Sequence, residues 1–143
     1  MKIVSGCLVG IDCRFDGKNR ISTDLIEDFK KGELIPLCPE QLGGLPTPRP
    51  PSRIVNGNGY KVLDGRTRVV NQKGDDVTEK FIKGATEVLK ITKILDDEEA
   101  ILESKSPSCG CGRIYDGISG ELVESDGILT VLLKRNGMRA IPR

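Results

Sequence analysis

The chain has 143 residues, enough for one domain with its own hydrophobic core, and we expect residues 1–143 to form a single domain. Its 22 Lys and Arg nearly balance its 21 Asp and Glu, and a net charge of +1 disfavours a protein that holds nucleic acid or membrane mainly by charge. The chain has no histidine, which excludes Ser-His-Asp and Cys-His catalysis and zinc sites with imidazole ligands, and leaves acid–base work to carboxylates, Lys, Tyr, Ser or Cys.

The first half of the chain is predicted to alternate short strands with one helix. Lys2–Ser5 is a short apolar strand, a loop follows, and Ile21–Lys31 has apolar side chains at helical spacing. A second strand, Glu33–Leu37, precedes a loop at 38–53 that is too rich in proline for a long helix or a central strand. Residues 54–70 carry Asn-Gly and Asp-Gly pairs, which predict a small hairpin or two edge strands.

The second half continues the alternation. Asp76–Leu95 carries the longest amphipathic stripe and is predicted to be a helix, followed by a strand at Glu99–Glu103 and a glycine-rich loop at Lys105–Gly120. Gly127–Arg135 is predicted to be a last helix and Met138–Ile141 a last strand or tail. The pattern predicts an α/β fold: one layered domain with a mainly parallel sheet flanked by helices, Rossmann-like or flavodoxin-like, with a small hairpin insertion.

The positions of the cysteines are the most informative feature of the sequence. Cys7 follows the strand predicted at Lys2–Ser5, Cys38 follows the strand at Glu33–Leu37, and Cys109 lies in the loop after the strand at Glu99–Glu103. The carboxyl ends of parallel strands share one edge of a sheet, and that edge hosts binding sites. We therefore expect these three thiols, distant in sequence, to meet at one place. The remaining two are Cys13 and Cys111.

The compartment predicted for the chain agrees with reactive thiols. The N-terminal residues lack the apolar run of a signal peptide, and no stretch of about 18 apolar residues is present. We expect a cytoplasmic location without membrane contact. In that reducing environment, several cysteines more often bind metal or take part in catalysis than form disulfides.

The cysteine spacing disfavours the common metal motifs. No C-x2-C pair is present, so neither a zinc ribbon nor the ferredoxin run matches. A centre held by thiolates from separate loops stays open, since soft thiolates favour zinc, copper(I) or iron–sulfur. The alternative is that the thiols are buried and inert, because free cysteine is among the most buried residue types.

Several polar side chains accompany these cysteines. Glu40 lies two residues after Cys38. It is either a general base or acid, or an exposed carboxylate at the start of a helix. Ser106 and Ser108 precede the third, where they donate hydrogen bonds to a substrate or cap the turn. Arg49 and Arg53 lie in the proline-rich loop, as partners of a phosphate or carboxylate or as surface charges.

Five ordered motifs resemble one known family. They are CLVGIDCRFDG (7–17), CPEQLGGLPTPRPPSRI (38–54), GDDVTEKFIKGA (74–85), SPSCGCGRIYDGISG (106–120) and GILTVLLKRNGM (127–138). The motifs are similar to those of the family long called domain of unknown function 523, some of whose members are thiouracil desulfidases. The resemblance covers nearly the whole chain.

The resemblance implies an iron–sulfur centre. In the desulfidases three cysteines hold a [4Fe-4S] cluster, and the matching positions here are Cys7, Cys38 and Cys109. Three protein ligands leave one iron open, and preparation in air can leave the site without its cluster. Cys13 and Cys111 have no counterpart in that ligand set, and either one as a fourth ligand would close the open iron.

The resemblance also implies an activity: non-redox replacement of C=S by C=O in a thiolated pyrimidine. The family links the positions of Glu40 and Ser106 with catalysis, so we expect Glu40 to deprotonate the attacking water and Ser106 to orient the substrate or relay a proton. We expect Ser108 and Arg49 to contact the substrate. The near-neutral charge and the absence of Trp favour a small thiolated pyrimidine over thiolated tRNA.

Three alternatives remain at this point. The first is a structural zinc or iron–sulfur module without this catalysis. The second is a thiol redox protein that uses Cys109 and Cys111, although a C-x-C pair is tight for disulfide geometry. The third is a cluster that serves as a sensor or an electron carrier.

Overall fold

The structure, a computed structural model, describes residues 1–116 and 118–143. The elements of the first half are strand β1 (Lys2–Ser5), a 3₁₀ helix (Gly6–Val9), helix α1 (Thr23–Lys30), strand β2 (Leu34–Leu37), helix α2 (Pro39–Leu42), strand β3 (Ser52–Ile54), helix α3 (Gly59–Leu63) and strand β4 (Val69–Asn71). The second half adds helix α4 (Thr78–Ile94), strands β5 (Glu99–Leu102), β6 (Arg113–Tyr115) and β7 (Leu122–Glu124), helix α5 (Ile128–Arg135) and strand β8 (Arg139–Pro142). Within the described ranges, none of the helices is long and apolar enough to cross a bilayer.

A four-stranded parallel sheet in the order β2-β1-β5-β8 forms the centre of the fold. In its register Ile3 of β1 lies opposite Ile35 of β2 on one side and Ala100 of β5 on the other. Counted alone, these strands have the order 2-1-3-4 of flavodoxin-like sheets. The predicted α/β fold with a mainly parallel sheet is thus confirmed. Because the order reverses at β1, a crevice is expected at the carboxyl ends of β1 and its neighbours.

Helices cover both faces of this sheet. Successive side chains of a strand point to opposite faces, so Ile3 packs into a core with Phe81 of α4 and Leu129 of α5. Val4 enters a second core on the other face, with Leu25 of α1. The two cores fix the sheet between α1 on one side and α4 with α5 on the other.

The predicted loops contain short elements that apolar periodicity does not reveal. Of the two predictions for residues 54–70, a hairpin or two edge strands, the structure has two strands: β3 pairs antiparallel with β4 in a separate sheet, and α3 lies between them in place of a tight turn. The Asn58 side chain starts α3, because its oxygen accepts a hydrogen bond from the Lys61 N–H at 3.0 Å. A small hairpin, β6 with β7, falls partly within the predicted loop at 105–120.

Two glycines bring the short helix α2 into backbone contact with α4. A Cβ at Gly84 would overlap the carbonyl oxygen of Pro39, and a Cβ at Gly43 would overlap the carbonyl oxygen of Lys80. The absence of side chains at both positions lets the two backbones approach closely. This contact fixes the position of α2 and of the residue in its first turn, Glu40.

A methyl group at Gly84 is expected to destabilise the protein. Ala has the higher helix propensity, so the change would be favourable by up to about 1 kcal/mol at an exposed helical site. Overlap with Pro39 instead forces α2 away from α4, and we expect Gly84→Ala to lower the free energy of unfolding by about 1–3 kcal/mol. Urea unfolding measures this. Lys83→Ala, at the exposed neighbouring position, is the control, and a Gly84→Ala variant as stable as the parent would contradict the packing.

Candidate functional site

A single cavity at the carboxyl edge of the sheet brings four cysteines together. It is lined by Cys7, Cys13, Cys38 and Cys109. Cys7 lies in the 3₁₀ helix after β1, Cys38 is the residue between β2 and α2, and Cys109 follows β5. The three thiols that strand ends were expected to bring together therefore share a cavity.

Cys13 lies among the other thiols. It is buried and packs with Cys7 and Cys38, and the Cys38 thiol donates a hydrogen bond to the Cys13 carbonyl at 3.7 Å. The hydrogen bond with Cys38 lowers the pKa of Cys13, but that with Cys7 and burial outweigh it, and the pKa rises to about 11. The hydrogen bond with Cys13 and burial also raise the pKa of Cys38. The signal in the sequence was the C-x5-C spacing with Gly10, whose φ of 102° turns the chain back toward the sheet.

Cys109 is buried, and burial raises the pKa of its thiol. The Ser5 hydroxyl at the end of β1 donates a hydrogen bond to the Cys109 Sγ at 3.5 Å, and the same hydroxyl accepts one from the Glu103 N–H at 2.9 Å. The raised pKa values of Cys13, Cys38 and Cys109 favour the protonated thiols at neutral pH. A cation that binds them as thiolates must therefore displace their protons.

The loop that carries Cys109 is held against the start of α5. The Thr130 hydroxyl donates to the Cys109 carbonyl at 2.9 Å, and the Leu129 N–H donates to the Ser108 carbonyl at 2.9 Å. Gly127 permits this contact, because a Cβ there would overlap the Ser108 carbonyl. Loop carbonyls thus satisfy N–H groups at the start of α5 that the helix itself leaves unpaired.

Both predicted serines line the cavity. The Ser106 hydroxyl oxygen accepts a hydrogen bond from the Cys109 N–H at 2.7 Å, so it caps the turn. Ser108 is buried, and its Oγ has no hydrogen-bond partner among residues 1–116 and 118–143. A buried hydroxyl without a partner is costly, which points to a polar ligand at that position.

Glu40 and Arg49 form a buried ion pair in the cavity wall. The side chains are 17% and 4% exposed, and an Arg49 Nη2–H donates to the Glu40 Oε2. Arg49 also donates to the carbonyls of Cys13 at 3.0 Å and Pro46 at 3.2 Å and to the Thr47 hydroxyl at 3.1 Å. The guanidinium of Arg49, which we expected to contact the substrate, therefore donates to four acceptors of the protein itself.

Several residues that line the cavity were not among the candidates predicted from the sequence. Arg20 and Glu103 both line the cavity and form an ion pair at 2.7 Å, and burial raises the pKa of Glu103 against the lowering effect of Arg20. Phe15, Lys105 and Tyr115 complete the charged and aromatic wall. The position of Glu103 directly after β5 was the available signal.

Two sequence candidates lie elsewhere in the part of the chain that the structure describes. Cys111 is half-buried and is not part of the cavity lining. Arg53 is 42% exposed and faces Asp116 at 3.8 Å, also outside the lining. The structure thus separates Cys109 from its C-x-C neighbour at the site.

The donor set fits an iron–sulfur cluster in three respects. Thiolates are the ligands that such clusters take, and four thiols face the cavity. The lining also offers the Ser108 hydroxyl, which has no partner among the described residues, and four cationic side chains against two carboxylates, a balance that favours an anionic centre. Across the described residues, no three Cys, Asp or Glu side chains are grouped to hold a single metal ion. A cluster makes a different demand, because each of its thiolates binds its own iron.

The chain is similar to known proteins over nearly its whole length. The model of the 2-thiouracil desulfurase family matches residues 3–142. The uncharacterized protein YbbK of Bacillus subtilis is 40% identical over 142 residues, which are 99% of this chain and 94% of YbbK. A solved structure of the [4Fe-4S]-dependent thiouracil desulfidase TudS is 37% identical, with a TM-score of 0.86 over 99% of this chain and 89% of TudS. Because the family model spans almost every residue and the fold is shared, the chain belongs to the 2-thiouracil desulfurase family.

Proposed function

We propose that the chain is a desulfidase that converts a thiolated pyrimidine of the thiouracil type into the corresponding carbonyl compound. In this proposal Cys7, Cys38 and Cys109 hold a [4Fe-4S] cluster. The observation that carries the proposal is that three cysteines from three different strand ends line one cavity. Membership of the family and the likeness to TudS support the activity and the cofactor.

The proposed reaction is a hydrolysis. Thiouracil and water give uracil and hydrogen sulfide, so no electrons are gained or lost. When bound, the cluster supplies an iron that acts as a Lewis acid with affinity for sulfur. Water adds to the ring carbon that carries the sulfur, the C–S bond breaks, and the sulfur leaves as hydrogen sulfide. Side chains of the chain take up and supply the protons of these steps.

Glu40 is the proposed general base. It lies in the first turn of α2, two residues after Cys38, and its carboxylate lines the same cavity as the thiols. Its task is to take a proton from the water that attacks the ring carbon. Without histidine in the chain, a carboxylate at this position is the available base.

The two serines are proposed to bind the substrate. Ser108 offers a buried hydroxyl without a partner among the described residues, suited to a hydrogen bond with a ring nitrogen or oxygen. Ser106 is tied to the Cys109 N–H through its oxygen, which orients its hydroxyl proton for a relay or for the substrate. Phe15 and Tyr115 offer aromatic faces for the pyrimidine ring.

The proposal includes the setting of the protein. Residues 1–143 are taken as one domain, because strands from both ends of the chain belong to one sheet. A reducing cytoplasm is supported by five cysteines without a disulfide in the described part of the chain. The small substrate, and not tRNA, is supported by the near-neutral charge.

A turnover assay tests the proposed function. The chain is reconstituted with iron and sulfide without oxygen and given 4-thiouracil. We expect about four irons per chain, a broad absorbance at about 400 nm, and uracil and sulfide in equal amounts over many turnovers. Zinc without labile sulfide would favour the structural module, and a loaded cluster without uracil would contradict the desulfidase.

Ser5 is expected to influence the cluster through Cys109. Its hydroxyl donates to the Cys109 Sγ, and hydrogen bonds to ligand sulfurs stabilise the more negative, reduced state of a cluster. Ser5→Ala should therefore retain the cluster and make its midpoint potential more negative. A redox titration followed by electron paramagnetic resonance measures this, with Ser125→Ala as the control. An unchanged potential would contradict the contact.

A further inference from the structure

The environment of Arg49 distinguishes it from every other cation of the cavity. Its side chain is 4% exposed, against 40% for Arg20. Burying a guanidinium is costly unless its donors are paired, and Arg49 has four protein acceptors. The guanidinium is therefore a built part of the wall.

The four contacts of Arg49 join separate segments. Glu40 lies on α2, Cys13 on the loop after β1, and Pro46 with Thr47 on the proline-rich loop. The planar guanidinium has donors in a fixed fork, so these partners are held in fixed relative positions. The charged hydrogen bond to the Glu40 carboxylate is the strongest contact of this set.

We propose that Arg49 is a positioning residue that acts through Glu40, holding the carboxylate in the orientation in which it meets the attacking water, and that it does not bind the substrate. This inference rests on the proposed function for its catalytic consequence. The ion pair itself is independent of the reaction. A general base must lie within hydrogen-bond reach of the proton that it takes, so a small rotation of Glu40 lowers the rate of the chemical step.

The charge of Arg49 alone does not perform this task. Lys has three donors on a flexible stem and cannot span the four acceptors, although it keeps the positive charge beside Glu40. Arg49→Lys should therefore recover part of the activity that Arg49→Met loses. Loss of the positive charge also leaves a buried carboxylate without its partner, which destabilises the fold.

A double-mutant cycle on kcat tests the inference. We expect Arg49→Met to lower kcat for 4-thiouracil by about 10–100-fold, with KM and cluster content unchanged. In the Glu40→Gln background the same change should have no further effect, because Arg49 acts through that carboxylate. Arg139→Met, which removes an arginine from the β8 edge of the sheet, is the control for charge. A raised KM at constant kcat, or equal losses in both backgrounds, would overturn the proposal.

Urea unfolding of the cluster-free chain separates this inference from the proposed function. If the pair exists, the changes in unfolding midpoint for Arg49→Met and Glu40→Gln are not additive, whether or not thiouracil is a substrate. Non-additive midpoints with no turnover by the loaded parent chain would contradict the desulfidase but keep the pair. Additive midpoints would overturn the positioning role. Arg49→Lys repeats both measurements if Arg49→Met does not fold.

Discussion

Replacing Glu40 with Gln should lower kcat for 4-thiouracil by about 10²–10⁴-fold while the cluster stays in place. The amide has nearly the same shape as the carboxylate but cannot take a proton from water. Glu40 is not among the proposed ligands, so iron and sulfide content should match those of the parent chain. Sulfide release and uracil formation measure the activity.

Glu103 provides the matched control for Glu40. It is the other carboxylate that lines the cavity, and it is held by Arg20 at 2.7 Å. Glu103→Gln should cost far less activity than Glu40→Gln, since the proposed base remains. If the order of the two losses were reversed, Glu103 and not Glu40 would be the base.

Replacing Cys109 with Ala is expected to remove the cluster. The variant has no donor atom at a buried position between Ser5 and the start of α5, so a cluster there would keep only two of the proposed protein ligands. We expect iron per chain to fall from about four to a small fraction of that value after anaerobic reconstitution. Iron analysis and the visible absorbance measure the loss.

The two cysteines that are not proposed ligands serve as controls, one outside the cavity and one within it. Cys111 is half-buried outside the cavity lining, and Cys111→Ala should keep the full iron content. Cys13 is the stricter control, because its thiol lies in the cavity and contacts those of Cys7 and Cys38. Cys13→Ala should also keep the cluster, and loss of iron in this variant would mean that Cys13 is a ligand.

The convergence of distant thiols could be predicted because it depends only on the parallel direction of the strands that precede them. Cys7 and Cys38 follow strands directly, and parallel strands place their carboxyl ends at one edge. The alternation of strands and helices predicts a mainly parallel sheet, and the parallel pairing of β1 with β2 and β5, and of β5 with β8, confirms it. Apolar periodicity is a property of local sequence, so a single chain reveals the alternating strands and helices from which a parallel sheet is expected.

The buried role of Arg49 could not be predicted in the same way. An arginine in a proline-rich loop is usually a surface residue, and nothing local indicates that Glu40, nine residues earlier, comes back to meet it. The same holds for Ser5 and Glu103, which meet because β1 and β5 are neighbours in the sheet. Such contacts depend on loop conformations that tertiary packing selects.

Short elements were missed for another reason. Helix α3 has five residues and starts at the Asn58 cap, too few for an apolar period to appear. Helix α2 has four residues and is held by glycine contacts with α4, not by its own propensity. In both cases a cap or a tertiary contact, and not a repeating pattern, stabilises the element.

In the proposed centre, three protein thiolates hold a four-iron cluster and leave one iron without a protein ligand. Mössbauer spectroscopy of the chain reconstituted with isotopically enriched iron, before and after addition of 4-thiouracil, measures this directly. We expect two kinds of iron in a ratio of about 3:1, with the minor component alone changing when thiouracil is added. Four equivalent irons that ignore thiouracil would contradict it.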